Sequence, residues 1–150
     1  MGIAKRVILV LLGFVPLLLG YLIDYWMTTI WQYNIPWGLI NLISFAILVL
    51  WFAAGLVFVK LAVPKGQVVS LLNIGAFAAL ILLILQTVQS MWLNQLGIAS
   101  QMFYLPLIRL GMWIVPSFIV GSMRLASIIS FIFLVLVSFL GTKAGARKLG

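Results

Sequence analysis

The side chains able to do chemistry in this sequence are few, and their types narrow the options. Asp24 is the only acidic side chain, and the chain holds no Glu, His or Cys. One Asp cannot make the paired carboxylates of general acid–base catalysis, and no His/Cys set exists to ligate zinc or haem iron. No glycine-rich phosphate loop or activated-nucleophile motif occurs. The expectation is a non-enzyme with neither cofactor nor metal. Three charged candidates remain: Asp24, Arg109 and Arg124. A guanidinium fork suits phosphate or carboxylate, so the arginines could meet an anion or lipid headgroup. The three could also form an ion pair on the outer side, with Arg124 the preferred partner of Asp24 and Arg109 the second choice. Asn41, Ser44, Asn73, Gln86 and Gln89 are candidates for hydrogen bonds between helices.

The elements that carry these residues follow from composition. Of 150 residues, 66% are apolar and 7% charged, with nine basic residues and one acidic. A soluble domain averages about 45–50% apolar and about 25% charged. So few charges cannot cover a water-exposed surface, which leaves a polytopic membrane protein solvated by lipid. The net charge of +8 does not point to nucleic acid. The basic residues sit at the ends of apolar runs, where the positive-inside rule accounts for them. Without Cys there is no disulfide framework to read.

About 20 apolar residues cross the hydrocarbon core. On that scale four spans are expected, over residues 7–26, 37–59, 68–90 and 121–141, in a single all-α domain. The first is read as a retained span rather than a cleaved signal, because bulky aromatic residues follow it instead of a small-x-small site. Pro16 should kink it and free a carbonyl near Leu12. Gly13 and Gly20, and Gly75 with Ala79, offer faces for close helix approach. Gln86, Gln89, Ser90 and Asn94 form a polar stripe at helical spacing, as if the third helix continued beyond the hydrocarbon. Four spans place Lys5, Arg6, Lys60, Lys65, Lys143, Arg147 and Lys148 on one side, seven of the nine basic residues. That side is expected to be the cytoplasm of a prokaryotic plasma membrane, with both termini in it.

Residues 103–120 are too apolar for an aqueous loop, yet Pro106, Gly111, Pro116 and Gly121 interrupt them every five residues. An outer-leaflet interfacial segment, a re-entrant one and a fifth span compete. A fifth span would carry the basic tail to the wrong side, and a surface-lying segment is preferred. The functional expectation is a non-catalytic accessory subunit that packs against a larger membrane protein and supports its assembly, stability or regulation. The alternative is a small oligomeric transporter or channel for a neutral or anionic solute. Expected partners are the lipid bilayer and another membrane protein, or a second copy of the chain.

Overall fold

The computed structural model describes residues 2–32, 34, 36–88, 94–115 and 122–147. Its helices are α1 (Ile3–Gly13), α2 (Val15–Thr29), α3 (Trp37–Lys60), α4 (Lys65–Leu72), α5 (Ile74–Val88), α6 (Asn94–Tyr104), α7 (Ile108–Met112) and α8 (Ser122–Arg147). A 3-10 turn, Leu105–Leu107, joins α6 to α7. The chain is an all-α membrane bundle.

Uninterrupted apolar sequence makes the longest spans. The 24 residues of α3 reach about 36 Å, more than the roughly 30 Å of hydrocarbon. Pro36 stands at the N-cap of α3. Its other end stops at Lys60, where Ala62 takes a left-handed φ of 61° and Pro64 bars continuation. The α8 helix runs to Arg147, past the expected end at 141. The reason is packing: Gly141 lies against the Phe52 backbone and Gly145 against Leu56, so the apparent tail docks on α3.

Two spans are broken for different reasons. α1 and α2 form one apolar stretch, Ile3–Thr29, interrupted at Phe14. Pro16 has no N–H to offer the Leu12 carbonyl, and it sits in the first turn of α2, where a missing donor is tolerated. The expected kink therefore falls two residues before the proline. α4 and α5 meet at 47° across Asn73, where one helix over 68–90 was expected. There is no proline here. The Asn73 amide donates back to the Val69 carbonyl (2.8 Å) and on to another helix, and such side-chain bonds compete with regular helix.

Lys5 Nζ donates to the Leu61 carbonyl (2.8 Å), bringing the N-terminus to the α3–α4 turn. Gly145 against Leu56 brings the end of α8 to the same place. Lys5, Arg6, Lys60, Lys65 and Lys143 thus share one end of the bundle, the Lys60 end. Asp24, Arg109 and Arg124 belong to the other, the Trp37 end.

The segment α6–α7 enters and leaves by the Trp37 end. Tyr104 Oη donates to the Ala76 carbonyl (2.8 Å), so α6 runs antiparallel to α5 and ends beside its start. Beyond the 3-10 turn, the Pro106 carbonyl meets Ser44 and Arg109 meets Asn41, so the chain climbs α3 back toward Trp37. The turn lies about 10 Å along α3 from Trp37. Phe103 and Tyr104 are 1% exposed and Leu107 is 0% exposed. The preferred surface-lying position is corrected accordingly for residues 103–112, which are seated inside the bundle. Residues 116–120 lie outside the described residues. The continuous third helix is corrected too: α5 ends at Val88, and α6 is a separate returning helix.

The burial pattern is inverted relative to a water-soluble fold. Leu18, Leu42 and Val49 are 66–70% exposed, whereas Ser44, Asn73, Ser130, Ser138 and Thr142 are buried. Lipid needs no apolar face covered, but it leaves every polar group to be satisfied by protein. Leu9, Trp51, Val68, Leu72, Phe103 and Leu134 form the centre of the apolar core.

Candidate functional site

Three polar stations lie along the interior. The deepest is Asn73, at the break between α4 and α5. Its Oδ1 accepts from Trp51 Nε1 on α3 (3.0 Å), and its Nδ2 donates to Ser138 Oγ on α8 (2.9 Å). Ser138 in turn donates to the Val135 carbonyl (2.9 Å). One amide therefore ties three spans together.

The second station holds the 3-10 turn. A turn inside a bundle exposes carbonyls that a continuous helix would satisfy. Ser44 Oγ donates to the Pro106 carbonyl, and Ser130 Oγ donates to the Leu107 carbonyl (2.9 Å). Each hydroxyl also lies within reach of the carbonyl four residues back in its own helix, at 2.9 Å for Ser44 and 2.8 Å for Ser130, so its single proton is shared between two acceptors. Close approach completes the seat. A Cβ on Gly20 would strike the Met102 carbonyl, and one on Gly111 would strike Ala126.

The third station is at the Trp37 end. Arg109 Nε donates to Asn41 Oδ1 (3.2 Å), and the guanidinium lies 5.1 Å over the Trp37 ring. Asn41 and Ser44 share one face of α3, and both serve the α6–α7 segment. Beside them is an apolar cavity of about 170 Å3 between α2, α3 and this segment. Ile23, Ile40 and Ile108 form its buried floor, and Met27, Trp37 and Met112 its more open rim.

Asp24 does not take part. Among the described residues no ion pair joins it to Arg109 or Arg124, and Arg124 is exposed. The expected pairing with Arg124 is not formed among the described residues: α2 packs on α6 and the 3-10 turn, whereas α8 packs on α3 and α7. The side chain of Gln86 and the whole of Gln89 lie outside the described residues.

Sequence reasoning overlooked Trp51, Tyr104, Ser130 and Ser138. A signal existed for the serines. Ser127, Ser130, Ser138 and Thr142 recur at spacings that place them on one helix face, and all four are buried. Nothing in the sequence singles out Tyr104, whose partner is a main-chain carbonyl.

The fold and its interior define a polytopic helical membrane protein with a seated half-span. No protein-family model matches the chain, and no curated protein or solved structure is significantly similar to it.

Proposed function

We propose that the chain is a non-catalytic accessory subunit of a larger membrane assembly, multi-pass in a prokaryotic plasma membrane with both termini cytoplasmic. The observation that carries this reading is how fully the interior polarity is used. Among the described residues no buried side-chain nitrogen or oxygen lacks a hydrogen-bond partner. Asn73, Ser44, Ser130 and Tyr104 each hold one element to another, leaving those groups little capacity to coordinate cargo. Such a bundle offers apolar faces to lipid and to a neighbouring protein.

A small oligomeric transporter is the second reading, and one observation favours it. The breaks at Phe14 and Asn73 come together, since Gly13 packs against Leu72 and Gly75, and broken helices line many solute sites. The accessory reading is preferred because the amide at this junction is already bound to Trp51 and Ser138. Purification of the tagged full chain in mild detergent should recover a stoichiometric membrane partner. A homo-oligomer that moves solute in proteoliposomes, with no partner, would establish the transporter instead.

A further inference from the structure

The cavity at the Trp37 end lies next to a cation whose donors are largely unused. Arg109 is half-buried, and among the described residues only its Nε has a hydrogen-bond acceptor, Asn41. The two terminal amino groups of the guanidinium, with four N–H donors between them, are left over. The one acidic side chain, Asp24, makes no ion pair with Arg109 among the described residues. The Trp37 ring, 5.1 Å from the guanidinium carbon, holds the group at the cavity by a cation–π contact, and its free terminal amino groups form the fork that suits a bidentate anion.

The cavity supplies the apolar half of the same site. A dry cavity of roughly 150 Å3 lined by aliphatic side chains takes a benzene-sized guest, so 170 Å3 suits a stretch of hydrocarbon chain about six carbons long. Two of the residues lining it, Met27 and Met112, are methionines, which adapt to an irregular occupant. Trp37 and the packed pair Trp26–Trp31 lie at this end, and Trp marks headgroup depth. Arg109 thus stands beside the cavity, next to Ile108 in sequence and bonded to Asn41, the neighbour of Ile40.

We propose that this is a binding site for one anionic glycerophospholipid, its phosphate on the Arg109 fork and the upper part of one acyl chain between Ile23, Ile40 and Ile108. Charge complementarity decides among occupants: an anionic headgroup answers the unused donors, while a neutral chain alone would leave them unmatched.

The test uses the purified full chain in nonionic detergent, titrated with phosphatidylglycerol or phosphatidylcholine of identical chains and read by native mass spectrometry. One bound phosphatidylglycerol per chain is expected, preferred over phosphatidylcholine. Arg109→Gln keeps an acceptor-matched partner for Asn41 and should reduce that preference about tenfold, whereas Arg109→Lys should retain part of it and Arg124→Gln all of it. A diazirine placed high on the acyl chain should label the Ile108–Met112 region. Met112→Trp, which fills the rim, should abolish that labelling with the elution profile unchanged. Equal binding of the two lipids, an undiminished preference in Arg109→Gln, or labelling spread over the exposed faces of α3 and α8 would overturn the assignment. So would a dimer that disappears in Arg109→Gln, which would make a second copy the occupant.

Discussion

Asn73 uses its amide in both directions, accepting from Trp51 and donating to Ser138 and Val69. Interhelical hydrogen bonds in membranes average about 0.6 kcal/mol, because the unfolded state also finds partners in lipid. A buried donor or acceptor left without its partner costs more, about 1–3 kcal/mol. Trp51→Phe strands the Asn73 Oδ1 acceptor, so a loss of about 1–3 kcal/mol is expected in reversible unfolding in mixed micelles. Asn73→Leu strands the Trp51 indole N–H and should cost about 1–3 kcal/mol. In the double variant the stranded donor is gone, so its cost should fall below the sum; strict additivity would show that the indole and the amide are not coupled. At this scale the sequence was partly legible. Asn41, Ser44 and Asn73 could be picked out as lone polar groups in apolar spans, but their partners could not, because spacing reports a face and not which helix covers it.

Elements were legible where length alone decides, as for α3, whose 24 residues agree with the expected span to within one residue. They were less legible where a tertiary contact overrides local pattern. The bend at Asn73 depends on Ser138, 65 positions away, and the return of α6 depends on glycine contacts with α2. The Pro106 and Gly111 interruptions did mark the α6–α7 segment, but its apolar sequence suits a leaflet surface as well as a protein interior. Single cysteines decide between the two. Cysteines at Ile98 and Trp113 should react with an impermeant reagent from one and the same side, and a cysteine at Leu107 should stay unlabelled. Adding Gly111→Val, which overpacks the contact with Ala126, should open position 107 to the reagent. Labelling of 98 and 113 from opposite sides would make this segment a fifth crossing.

The whole molecule is organised by its two ends. The hydrogen bond from Lys5 to Leu61 and the packing of Gly145 on Leu56 put the N-terminus, the α3–α4 turn and the end of α8 together. Reporters fused after Lys65 and at the C-terminus should therefore read the same compartment, and one inserted after Gln32 the opposite one. In the orientation proposed above, that shared compartment is the cytoplasm. A C-terminal reporter that disagreed with the one after Lys65 would break this arrangement. The seat of the 3-10 turn also has a place in time. Its Leu107 carbonyl waits for Ser130, and the Gly111 contact waits for Ala126, both supplied by a helix that leaves the ribosome later. Synthesis proceeds at about 5–20 residues per second, so the segment exists for seconds before its lock does. Until Ser130 emerges, the Leu107 carbonyl lacks the hydroxyl that holds it in the finished bundle, so the seat of this segment is completed only by the last helix made.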